Sequence, residues 1–309
     1  MGIWNGWDIF VATLKTFSKY PAFNVPLLIC WLVYAPTAIY LKYFLPYGAL
    51  SGWQIAGIIV LVFVGFSLII SLTCLLLLEF IEQIETTGRV RVASAIGRVI
   101  WNDFLPSVPV AAIWAAIWLG LTLIEVAISS VTRNSGRRQS FSMEGAAKTL
   151  SGYQSFSLSA AFFEALNRGV RMLAFLIFPA IAWEHDNTIK ALKRGLSIAE
   201  AHKGELGAGV LLITAAAGLV FLPPSILFYV TDKTHTTLPD SVWLGVIIYC
   251  GFAWSFTILM EQLFTATLYR WHLDWEQRCR DASRHGLPEP RLNEVPCPAI
   301  MDHAAEFFH

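Results

Sequence analysis

What the chain is short of narrows the field before any motif is read. Only 14% of its 309 residues are charged, against about a quarter in an ordinary soluble domain. That is too little polar surface to cover a water-soluble fold of this size. Lys and Arg balance Asp and Glu at 22 each, so no global field draws in nucleic acid or an acidic substrate. The five cysteines make no disulfide framework. Cys30, Cys74 and Cys250 fall inside apolar runs, and Cys279 and Cys297 sit in the polar C-terminal stretch. The start, Met1 to Asp8, has no basic segment leading into an apolar core, so the first apolar run is expected to stay as an anchor. Gly6 stands where a myristoylation signal needs Ser or Thr.

Signatures of chemistry are missing as well. There is no G-x4-G-K-[ST] nucleotide loop, no H-E-x-x-H zinc motif and no G-x-S-x-G nucleophile elbow. His272, Cys279, His285, Cys297, His303 and His309 have none of the paired spacings that hold zinc. The expectation is a protein that is not an enzyme and takes no cofactor and no metal.

Apolar residues are what the chain has in abundance: 56% hydrophobic, a mean hydropathy of +0.57 and twelve tryptophans. Tryptophan concentrates where headgroups meet hydrocarbon. A helix needs about 20 apolar residues to cross a bilayer. The runs from Asn24 to Phe44, Gln54 to Leu78, Ser107 to Ser129 and Val242 to Leu268 meet that length. Ala208 to Val230 meets it despite Pro223 and Pro224. The remaining run, Gly169 to Trp183, reaches spanning length only by taking in Glu164, Arg168 and Arg171.

Six spans make sense of the basic residues. Fourteen of the 22 Lys and Arg then fall on one side, including Arg89, Arg91, Arg98, Lys190, Lys193 and Arg194, six fall on the other, and two lie in the fourth span. The basic side of a membrane protein faces the cytoplasm, which puts both termini inside. The loop from Val131 to Ser157, with Arg137 and Arg138, runs against this pattern and is long enough to weaken it.

The chain also repeats itself. Asn24-Val-Pro26 opens the first span and Ser107-Val-Pro109 the third, each after an amphipathic stretch. Ile3, Trp7, Phe10, Leu14 and Phe17 recur at helical spacing, as do Val92, Ile96, Val99 and Ile100. Ile189, Leu192, Leu196 and Ala199 form a third stretch before the fifth span. Stretches of this kind are too polar to span, and their basic residues meet anionic headgroups. The expected fold is all-α, with three units of one interfacial helix and one membrane hairpin, at about 1–82, 83–185 and 186–275. Residues 276–309 are expected as a polar cytoplasmic tail, with four prolines between Gly286 and Pro298.

The run from Phe178 to Glu184, followed by Ile189-Lys-Ala-Leu-Lys-Arg-Gly-Leu196, resembles a pattern in bacterial inner-membrane proteins. These are the YciC-like proteins and the membrane domain attached to some glycerophosphodiester phosphodiesterases. The resemblance implies the repeated hairpin fold and a bacterial inner membrane, with no activity attached. The sequence departs from the pattern at Gly195, where Ser is usual.

Ionisable groups at membrane depth are expensive. Glu125, Glu164, Arg168 and Arg171 form one such group, in which Glu125 is the expected partner of an arginine. They read either as a polar cavity for an anionic or polar ligand or as a structural ion pair between helices, and the second is favoured. Glu79, Glu184 and Glu261 stand near the cytoplasmic ends of the even-numbered spans, facing Arg98, Lys193 or Arg194, with a proton or cation relay as the alternative. Pro223 and Pro224 break the fifth span, as transporter helices are broken at substrate sites. Two functions follow. One is a non-catalytic subunit or scaffold that packs against the lipid bilayer and a protein partner or second copy. The other is a small-solute transporter or channel around Glu125, Arg168, Arg171 and the proline pair.

Overall fold

The computed structural model of the chain describes residues 17–46, 49–132, 158–234 and 238–288, with 11, 15, 290, 291, 294 and 295. The side chains of 42, 43, 125–132 and 158–165 lie outside that description. Among the described residues every regular element is helical. In chain order these are α1 (Asn24–Tyr43), α2 (Gly52–Thr87), α3 (Val92–Arg98), α4 (Phe104–Thr132), α5 (Leu158–Phe175), α6 (Ile177–Glu184), α7 (Thr188–Ala201), α8 (Lys203–Val220), α9 (Leu222–Thr234) and α10 (Asp240–Arg284).

Among the described residues five segments are long and apolar enough to cross a membrane: Pro21–Leu41, Gly52–Thr87, Val92–Ile124, Lys203–Val220 and Asp240–Arg284. The protein is therefore an all-helical membrane protein. The run expected as a sixth span is not among these five. It is divided between α5, which carries Glu164, Arg168 and Arg171, and the short α6.

Local chemistry sets the helix ends. Ser51 caps α2, accepting from the Gln54 amide at 3.4 Å while its own amide donates to Gln54 Oε1 at 2.8 Å. Gly88 ends α2 at φ +68°, the left-handed position that glycine takes without strain. Asn187 caps α7 by accepting from the Lys190 amide at 3.1 Å.

Prolines set the internal breaks. Pro179 has no N–H to offer the Phe175 carbonyl, and the chain bends at Leu176 between α5 and α6. Gln262 Nε2, on α10, donates to that carbonyl at 3.4 Å. Pro224 likewise leaves the Val220 carbonyl open between α8 and α9, and the Tyr249 hydroxyl of α10 donates to it at 2.7 Å.

The junctions from amphipathic stretch to span differ in kind. Pro21–Phe23 is a 3-10 turn entering α1, and Val99–Asp103 is a π-turn that makes α3 and α4 one continuous rod. His202 breaks the backbone between α7 and α8 at φ −117° and ψ 39°. Of the first amphipathic stretch, Ile3, Trp7, Phe10 and Leu14 lie outside the described residues. Phe17 packs edge-on to Phe256 of α10 at 5.4 Å.

The tightest packing lies toward one end of the bundle. Residues 73–81 of α2, 174–182 across the α5–α6 bend and 257–269 of α10 are all buried, whereas 52–61 of α2 are nearly all exposed. Half of the apolar window of α10 is enclosed by other helices, against 17–28% for the other four candidate spans. The division expected at 275 falls inside α10, which stays helical to Arg284. The C-terminal segment turns back along it: Trp275 donates to the Pro290 carbonyl at 2.8 Å and Trp271 to that of Val295 at 3.2 Å.

Two glycines of α8 give a test of this packing. A Cβ on Gly209 would stand 2.3 Å from the fully buried ring of Phe264, while one on Gly218 would meet nothing within 4 Å. Gly209→Ala is expected to lower stability by about 1–3 kcal/mol through overpacking. Gly218→Ala is expected to be neutral or stabilising by up to about 1 kcal/mol through helix propensity. Thermal unfolding midpoints in one detergent compare the two.

Candidate functional site

The arginines of α5 meet a buried carboxylate of α10. Arg171 grips Glu261 with both forks of its guanidinium, Nε to Oε2 at 2.5 Å and Nη2 to Oε1 at 2.7 Å. Arg168, one helical turn before Arg171, brings its Nε to 3.2 Å from the same Oε1. Glu261 has no solvent exposure, and the Arg168 side chain has 6%. A planar guanidinium matches a carboxylate two bonds at a time, which fixes both position and orientation.

The sequence suggested Glu125 as the partner of Arg168 or Arg171 and gave Glu261 to the basic stretches; the structure gives Glu261 to the arginines of α5 instead. The side chains of Glu125 and Glu164 lie outside the described residues. The reason for the difference is packing. Helix α5 packs against both α4 and α10, and α10 presents Glu261 to it from 90 residues further on.

Glu79 and Glu184 meet the arginines of the amphipathic stretches. Arg98 Nη1 stands 2.9 Å from Glu79 Oε1, and Gln83 Nε2 donates to the same oxygen at 2.8 Å. Gln83 Oε1 in turn accepts from the Arg91 amide at 2.7 Å, where α3 begins. Arg194 Nε contacts Glu184 Oε1 at 3.3 Å.

Arg194 belongs to a longer chain of polar groups. It also forks onto Glu276 of α10, Nη1 to Oε1 at 2.8 Å and Nη2 to Oε2 at 2.6 Å. Glu276 Oε1 lies 3.1 Å from His272 Nε2, and His272 Nδ1 lies 2.7 Å from His202 Nε2. At the other end the Tyr269 hydroxyl donates to Glu184. The carboxylate accepts, so His272 carries its proton on Nε2 and accepts on Nδ1 from His202 Nε2–H. The chain therefore clamps α6, α7 and the α7–α8 junction to α10.

His202 was not singled out from sequence. Its signal was register: Ala191, Gly195, Ile198 and His202 fall on one face, and all are buried. A histidine continuing a buried stripe needs a partner, and His272, four residues before Glu276, supplies it from α10. Among the described residues no group of three or more His, Cys, Asp or Glu is placed to hold a metal ion. No protein-family model, curated protein or solved structure matches the chain.

Two outcomes follow. Removing one member of a buried pair strands the other, at about 3–5 kcal/mol. Arg171→Met is expected to lower the unfolding midpoint strongly, and Glu261→Gln added to it to recover much of the loss; two additive losses would count against the fork. Burial holds His202 below its ordinary value, near 6.5 when unfolded. The neutral ring's contribution is thus complete above about pH 6.5 and is lost as pH falls below it, because the unfolded chain then binds the extra proton. Stability should fall between about pH 7 and 5, less steeply in His202→Gln.

Proposed function

We propose that this chain is a non-catalytic integral membrane protein that acts as a subunit or scaffold of a membrane assembly. The observation that carries the reading is the Arg171–Glu261 fork. A binding cavity needs a charge turned toward its ligand, whereas here both oxygens of the fully buried Glu261 carboxylate are taken by arginine. Pairing of this kind sets how two helices pack.

The other features offered for a transporter support the same conclusion. The Val220 carbonyl freed at Pro223-Pro224 is met by Tyr249. Between α1, α2, α4 and α10 the space is occupied by rings: Tyr34 stacks on Trp254 at 4.4 Å, Trp254 on Trp118 at 6.1 Å, and Phe63 leans on Trp118 at 4.6 Å.

The reading takes α5 and α6 together as one bent span, giving six spans in three repeats of interfacial helix and hairpin. Glu261 cancels one of the two positive charges of Arg168 and Arg171, which offsets part of the cost of inserting α5. The distribution of Lys and Arg favours both termini in the cytoplasm. The resemblance of Phe178 to Leu196 favours a bacterial inner membrane.

Purification from native membranes in a mild detergent, with mass spectrometry of what is retained, tests the proposal. A stoichiometric partner or second copy is the expected result. A solitary protein that drives solute flux in proteoliposomes, with flux lost in a folded Arg171 variant, would replace this reading by the transporter.

A further inference from the structure

Helix α7 divides its circumference among three surroundings. At about 100° per residue, Ala191, Gly195, Ile198 and His202 share one sector and are buried against the bundle. A Cβ on Gly195 would stand 3.1 Å from Ile177 Cγ1 and 3.2 Å from the Leu176 carbonyl, so this sector meets the α5–α6 bend at close range. Lys190, Lys193, Ser197 and Glu200 occupy an exposed polar sector. Between the two runs a stripe of large apolar side chains, Ile189, Leu192 and Leu196, at 68%, 39% and 50% exposure.

A helix packed on a water-soluble core buries its large apolar side chains. On α7 the buried sector holds mostly small residues, and its largest aliphatic stripe points away from the protein. That is the arrangement of a helix lying in the plane of a bilayer surface. Its level is fixed by a tie to α4: Thr188 Oγ1 donates to the Pro106 carbonyl at 3.1 Å. Beside that tie Trp101 and Leu105 are 85% and 75% exposed, so outward-facing apolar groups occur on both sides of it.

The charges on α7 are unequal in what they are used for. Arg194 is engaged by Glu184 and Glu276, and Glu200 by Lys203 at 3.7 Å. Lys190 and Lys193 are exposed and make no salt bridge among the described residues. Lys193 borders the apolar stripe, and Lys190 stands one step further round toward water.

We propose that α7 is a seat for anionic phospholipid, with acyl chains along Ile189, Leu192 and Leu196 and the phosphate held by Lys190 and Lys193. The position of α7 at the bilayer surface rests on the membrane topology proposed above. The preference for anionic over neutral lipid is a separate consequence of the two lysines, each worth about fivefold in affinity at a membrane surface.

Native mass spectrometry of the full chain in detergent tests this, with phosphatidylglycerol, phosphatidylcholine or water-soluble glycerol phosphate added at equal concentration. Phosphatidylglycerol should be retained roughly tenfold or more over phosphatidylcholine, and glycerol phosphate, lacking acyl chains, should give no adduct. In the variant Lys190→Gln/Lys193→Gln the two lipids should be retained alike, with the unfolding midpoint unchanged because both side chains are exposed. Equal retention by the unaltered protein, an undiminished preference in the variant, or glycerol phosphate binding as tightly as the lipid would overturn the proposal. Each of those results leaves the subunit reading standing, since that reading is decided by co-purified partners.

Discussion

A carboxylate with no solvent exposure survives in an apolar interior only while something of opposite charge is held against it. Glu261 meets that condition through the two-pronged grip of Arg171, with Arg168 beside it. Separately, each of these ions costs several kcal/mol to bury. Together they turn three unfavourable residues into a joint between α5 and α10. The joint is directional, because a guanidinium fork tolerates little rotation of either helix. It decides which face of α5 looks inward, and so where the α5–α6 bend and everything following it are placed.

The same helix that supplies Glu261 answers the demands of its neighbours elsewhere. Hydrocarbon offers no water to an unpaired backbone carbonyl, so each proline break must find a donor within the protein. Gln262 and Tyr249, both on α10, provide it for Phe175 and Val220. Further along, Tyr269, His272 and Glu276 gather Glu184, Arg194 and His202. Trp271 and Trp275 hold the returning C-terminal segment. The greater enclosure of α10 is the geometric counterpart of this chemistry.

Hydropathy made the spans legible because it is a local property: the runs beginning at Asn24, Gln54, Ser107 and Val242 correspond to α1, α2, α4 and α10. The charged residues at membrane depth were legible as residues but not as pairs. That Arg171 meets Glu261 depends on which helices touch, and the period of one helix carries no information about that. Glu79 with Arg98 and Glu184 with Arg194 were easier, being 19 and 10 residues apart at one end of the bundle. The need for a small residue at Gly195 is visible only in three dimensions, since a side chain there would press on the Leu176 carbonyl. The role of His202 was hidden because its partner lies 70 residues away.

The span of 90 residues between Arg171 and Glu261 has a meaning for how the protein is made. A ribosome adding about 5–20 residues each second needs roughly 5 to 20 s to travel that far. During that interval α5 has already emerged while its Glu261 counter-charge has yet to be synthesised. The joint between α5 and α10 therefore closes only after both helices have been made, and not in the order in which they are translated.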